Sequence, residues 1–208
     1  MGRAQTAQEE NWNVATHGIG ILLFLAFSIY YLFSDYQTDY FNLKLGTVIY
    51  FVSQVFLYSA STAYHYVIPG KLKFKLRKAD HIAIYLSIAG TYTPICLSVL
   101  WDSNGPTILI AVWSIALFGT IWKLFFTGKF EAFSSLLYLV MGWLVVLDID
   151  TVTREFSEDQ LTYLIAGGVF FTVGIVFYAW NKLYFNHVIW HLFVLAGSFS
   201  HYLLVFTL

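Results

Sequence analysis

The sequence predicts an all-α integral membrane protein of seven transmembrane helices, with the N-terminus cytoplasmic and the C-terminus outside. Composition is the first ground: 59% of the 208 residues are hydrophobic, 20% aromatic and only 11% charged, where a soluble domain carries about 25% charged residues. The second is that the apolar residues come in continuous runs close to the roughly 20 that cross the hydrocarbon at about 1.5 Å per residue. Closed barrels, which need alternating patterns, are thereby excluded. The third is the placement of lysine and arginine, which sets orientation.

In chain order, the spans are expected at about Val14 to Phe33, Leu45 to Val67, His81 to Leu100, Thr107 to Phe126, Ala132 to Leu147, Leu161 to Trp180 and Phe185 to Leu208. Ser34 to Asp39 forms a polar connection, and Ile68-Pro69-Gly70 ends the second span. The basic segment Lys71 to Lys78 reads as a loop, and Pro94 is expected to kink the third helix. Trp101 to Pro106 is a turn by composition, and Asp148 to Gln160 reads as the longest polar connection. With the N-terminus inside, the cytoplasmic side holds Arg3, Lys71, Lys73, Lys75, Arg77, Lys78, Lys123, Lys129 and Lys182, against Lys44 and Arg154 outside.

The whole chain, 1–208, reads as one membrane domain without internal repeat. The N-terminal stretch lacks the apolar core of a signal peptide. Met1 to Thr6 fits the short myristoylation pattern, which seven spans make superfluous. A net charge of −1 gives no case for nucleic acid, and no GxGxxG or phosphate loop supports a nucleotide site. Cys96, the single cysteine, excludes an intramolecular disulfide. An oligomer is neither indicated nor excluded by the sequence.

The polar residues then matter by depth. His187 and His191, four apart, share one face at the start of the seventh span. His65 closes the second span and Asp80 opens the third, both on the cytoplasmic side. All four are expected within roughly 5–15 Å of the inner boundary. Three neutral imidazoles suit zinc with an open fourth position, where a bound water acquires a pKa of about 7. Asp80 is the candidate general base, or a group that orients a ligand. It could instead complement the dipole of its own helix. Ser61, one turn before His65, could bond the aspartate or a ligand, or equally a carbonyl of its own helix.

Glu10, Asn13, Thr16 and His17 recur on one face of the first helix. Capping and tethering is their expected role, with substrate contact second; His17 as a fourth ligand would close the open position that hydrolysis needs. His81 and His201 are read as bonding backbone or sitting at the interface.

Together these residues resemble the hemolysin III family, the bacterial branch of the progestin and adipoQ receptor group. The matching pieces are Glu10-x2-Asn13-x2-Thr16-His17-Gly18, Ser61-x3-His65, Asp80-His81 with Ala89-Gly90-Thr91-Tyr92-Thr93-Pro94, and His187-x3-His191. The resemblance implies seven helices in the bacterial inner (plasma) membrane and a zinc near the inner leaflet. It also implies His65, His187 and His191 as ligands, with Asp80 contacting the zinc-bound water. The wider group is associated with hydrolysis of lipid amide bonds, which makes membrane lipid both environment and substrate; the family name implies cytolysis. The expectation is a zinc-dependent hydrolase of a lipid amide or ester, with Asp80 and Ser61 catalytic. The alternatives are a non-catalytic sensor whose zinc locks helices, and a cytolytic pore-former.

Overall fold

Long apolar runs become helices in a membrane because every backbone N–H and C=O must be satisfied within the segment. A computed structural model describes residues 3–34 and 41–208. Helices α1 (Ala7–Phe33), α2 (Phe41–Tyr66), α3 (Lys71–Leu97) and α4 (Gly105–Phe126) are followed by a broken element. That element is α5 (Glu131–Gly142), a 3-10 stretch (Leu144–Asp148) and α6 (Ile149–Glu155); α7 (Glu158–Ala179) and α8 (Asn186–Phe206) complete the chain. No strand occurs among the described residues. Most of the expected connection at Ser34 to Asp39, and the start of the myristoylation pattern, lie outside them.

Among the described residues, six segments are long and apolar enough to cross a membrane: α1, α2, α4, the broken segment Glu131–Glu155, α7 and α8. The third expected span, α3, is as long as α1 but less apolar. Its position explains this, because it packs against α2, α4, α5 and α8 and turns few faces outward. Tyr85, Ala89 and Cys96 on α3 are fully buried, and Ser87 and Thr93 nearly so. Elsewhere large apolar side chains face outward, Leu22, Ile110 and Phe125 among them, as lipid contact requires.

Close approach of α2 and α3 depends on small residues, as in other membrane helix pairs. A Cβ on Gly46 would stand 2.6 Å from the Cα of Pro94. Two apolar clusters result. One joins α3, α4, α5 and the 3-10 stretch around Tyr85, Ile108 and Met141; the other joins α1, α2 and α8 around Phe24, Tyr50 and Tyr58.

Three boundaries differ from expectation. The basic segment Lys71 to Lys78 is helical and forms the first two turns of α3. Asp80 therefore lies in the third turn, beyond the reach of the helix dipole, which fades within the first. The fifth span breaks at Gly142, and the expected polar connection from Asp148 is helical to Glu155.

Candidate metal centre

The bundle end holding the start of α1, the end of α2 and the start of α8 brings the predicted histidines together. One ring nitrogen from each of His65, His187 and His191 lies within 4.8 Å of the other two. His65 and His191 are buried, and His187 is partly so. The rings are tilted pairwise by 52°, 76° and 60°, so no two of them are stacked and their planes intersect.

Neighbours determine which nitrogens are free. His65 Nδ1 lies 2.5 Å from Glu10 Oε2, and Lys73 Nζ donates to Glu10 Oε1 at 2.9 Å. An ionised carboxylate only accepts, so the ring proton belongs on Nδ1 and Nε2 keeps its electron pair. His65 Nε2 is buried without any hydrogen-bond partner. Thr16 Oγ1 donates to Trp12 O at 2.9 Å and lies 3.3 Å from His191 Nδ1, leaving the other nitrogen of that ring free as well. Carboxylate and hydroxyl groups behind metal-bound imidazoles commonly fix tautomer and orientation. The donor set, with its orphaned Nε2, therefore fits a metal ion.

Glu10 is thus no cap. The cap of α1 is made by Thr6 and Glu9: Glu9 N donates to Thr6 Oγ1 at 3.3 Å and Thr6 N to Glu9 Oε2 at 2.8 Å. Glu9, 1% exposed, also accepts from Phe185 N at 2.8 Å and pairs with Arg3. Phe185 has a positive φ of 58° immediately before α8, a strained conformation for a bulky residue. The Glu9 contact secures that bend two residues before His187. Sequence pattern placed Glu10 on the right face; the role of Glu9 left no signal beyond its capping spacing.

His17 does not join the trio. Its ring stacks on His191 with centroids 3.5 Å apart and planes within 11°. Parallel planes separated by a stacking distance do not meet, whereas a bound cation lies in the plane of each ligating imidazole. Both nitrogens of His17 are buried and unpartnered; the His191 backbone passes beside the ring outside hydrogen-bonding geometry.

Asp80, Ser61, His187 and His191 line one cavity, which holds about 1020 Å³ of atom-free space counted out to its open mouth. No hydrogen bond or ion pair to the Asp80 carboxylate occurs among the described residues, and Asp80 stays outside the three-histidine group. Ser61 Oγ is buried and bonds nothing, its own helix included. Ile84, Leu139, Phe171, Ile175 and Val194 make the walls largely apolar. On one flank Trp143 Nε1 donates to Thr172 Oγ1 at 3.2 Å, bridging the break after α5 to α7.

The remaining histidines divide. His201 Nε2 lies 3.4 Å from Leu164 O, the backbone contact expected of it. His81 instead sets Nδ1 3.3 Å from Glu131 Oε2. Glu131, which directly precedes the expected fifth span, also accepts from Lys123 Nζ at 2.6 Å, Gly128 N at 2.9 Å and Arg77 at 3.4 Å.

These features define a helical, multi-pass membrane protein whose polar residues converge at one end on three histidines able to hold a metal. The chain belongs to the haemolysin-III related family, whose pattern matches residues 5–202. It is 41% identical over 194 residues to the "Hemolysin-3 homolog" of Bacillus subtilis (strain 168), covering 93% of this chain and 91% of that one. Identity to "Hemolysin-3" of Bacillus cereus is 39% over 194 residues, with 93% and 89% covered. The "Monocyte to macrophage differentiation factor" of Homo sapiens is 30% identical over 167 residues, covering 76% and 68%, and links the chain to the progestin and adipoQ receptor group. No solved structure matches. Family and apolar helices together make it a multi-pass protein of the bacterial inner membrane.

Proposed function

We propose that this protein is a zinc-dependent hydrolase of a lipid amide or ester bond, working at the cytoplasmic side of a seven-span bundle. The observation that carries the reading is that His187 and His191, two of an incomplete three-histidine donor set, line one apolar cavity together with an unpartnered carboxylate, Asp80. Structural zinc sites normally complete four protein ligands, while catalytic ones keep a position open. The lysine and arginine distribution supports placing this end of the bundle inside, and α3 completes the seven spans.

His65, His187 and His191 would hold the ion, with Glu10 and Thr16 keeping two of the rings in register. Bound zinc supplies Lewis acidity toward a carbonyl oxygen and a more acidic water in its open position. Asp80 accepts the proton of the attacking water and aims its oxygen at the carbonyl carbon. Ser61 Oγ donates to an oxygen brought beside it. The apolar walls hold the lipid chain and exclude bulk water. The lining from α5 and α7, with Trp143 exposed between them, suits a substrate arriving from the bilayer.

A second reading has one observation in its favour. The histidines tie α2 to α8, so the ion could serve as a lock in a non-catalytic sensor. The relatives' name, hemolysin, suggests lysis, but no described residue supplies a ladder of charges across the bilayer. The test is turnover of a panel of long-chain amides and esters by purified protein beside Asp80→Asn. Metal-dependent release of fatty acid, lost in the variant, is expected. Zinc-loaded protein inert toward the whole panel would favour the lock.

A further inference from the structure

Hydrolysis of an amide makes two demands on proton handling. Attack by water releases a proton, and departure of the amine requires one, because an amide anion is a poor leaving group. Asp80 answers the first demand. The second falls to the next residue in the chain.

His81 is 7% exposed and lines the same cavity as Asp80. As neighbours in α3 their side chains diverge by about 100° around the axis, so they approach a bound molecule from different sides. One nitrogen of His81, Nδ1, lies 3.3 Å from Glu131 Oε2. The other, Nε2, has no hydrogen-bond partner among the described residues and is not among the sealed buried atoms, which leaves it as the nitrogen available to the cavity. Tyr138 Oη donates to His81 O at 3.0 Å and fixes the backbone beneath the ring. Glu131 is itself immobilised by Lys123, which is fully buried, together with Arg77 and Gly128 N. The groups around the imidazole are thus Glu131 and Tyr138 from α5, Lys123 from α4, Arg77 and Asp80 from α3, and His187 across the cavity from α8. A carboxylate behind an imidazole that presents its other nitrogen to a cavity is the arrangement of an acid–base histidine.

We propose that His81, positioned by Glu131, is the general acid that protonates the leaving amine when the substrate is an amide; this rests on the hydrolase reading. As water oxygen bonds to the carbonyl carbon, its proton passes to Asp80. As the C–N bond breaks, its electron pair stays on nitrogen, which takes the Nε2 proton of the His81 imidazolium. The proton held by Asp80 then returns to His81 through water in the cavity. The sum is amide plus water giving carboxylic acid plus amine, with both side chains restored.

The experiment compares two probes sharing one acyl chain, an N-dodecanoyl alkylamine and p-nitrophenyl dodecanoate, on full-length, zinc-loaded protein. The nitrophenolate departs without acid assistance. In His81→Gln, zinc per chain should match wild type and amide turnover should fall about a hundredfold or more. Ester turnover should fall by less than about tenfold. Glu131→Gln, which keeps the imidazole but loosens it, should show the same selectivity with a smaller loss. Equal losses on both probes, or zinc lost along with turnover, would overturn the role of His81 while leaving the hydrolase intact. A wild-type protein that binds zinc yet cleaves neither probe would remove the hydrolase reading, and His81's part with it.

Discussion

Two polar clusters lie at opposite ends of α3, and they differ in how completely they are satisfied. Around Asp148 every obligation is met: its carboxylate accepts from Ser103 Oγ at 2.5 Å, Asn104 N at 3.0 Å and Asn104 Nδ2 at 3.4 Å. It thereby closes the exposed start of α4. Around His65 the balance is reversed. Asn13 Oδ1, both nitrogens of His17, Ser61 Oγ and His65 Nε2 are buried without partners. A buried polar atom left unpaired costs about 1–3 kcal/mol. Further orphans such as Thr120 and Ser134 are scattered along the bundle, but here four residues contribute to one neighbourhood. A saturated cluster is finished architecture, whereas an unsaturated one of this density is a place for something to bind.

The contrast can be broken by experiment. The largest effect is expected from His65→Ala, His187→Ala and His191→Ala, each of which should lose most of about one zinc per chain, read by metal analysis of purified protein. Full retention in all three would dissolve the difference between the clusters. Next, Asp80→Asn should keep its zinc and lose about 10²–10⁴ in turnover, measured on any amide the wild type cleaves. Glu10→Gln should weaken zinc about 10–100-fold in a chelator competition, because His65 loses the partner that fixes its tautomer. The smallest change belongs to the saturated cluster. Asp148→Asn should leave zinc binding alone and cost about 1–2 kcal/mol, seen as a lower midpoint of thermal unfolding in detergent.

Much of this was legible in the residues themselves. Period and length gave the helices, because a membrane span is a local property of some 20 residues. The trio was legible for a related reason: H-x3-H fixes two rings on one face, and depth along α2 brings His65 level with them. Pairings between distant segments were not. Nothing local to Glu10 shows that it reaches His65, 55 residues on, and nothing local to Glu131 shows that it holds His81. Such contacts follow from which helices become neighbours, and a hydropathy pattern does not encode that. The start of α3 was missed for the opposite reason. Eight residues rich in lysine look like a loop by composition, but lysine and leucine are good helix formers, and Lys73 is engaged with Glu10.

The central claim is that three imidazoles, two from α8 and one from α2, share one ion. Zinc-edge X-ray absorption on the purified protein addresses it most directly. The account predicts a four-coordinate shell with three imidazole nitrogens at about 2.0–2.1 Å and one lighter oxygen donor. A shell of oxygens without imidazole scattering, or one unchanged in His65→Ala, would contradict it.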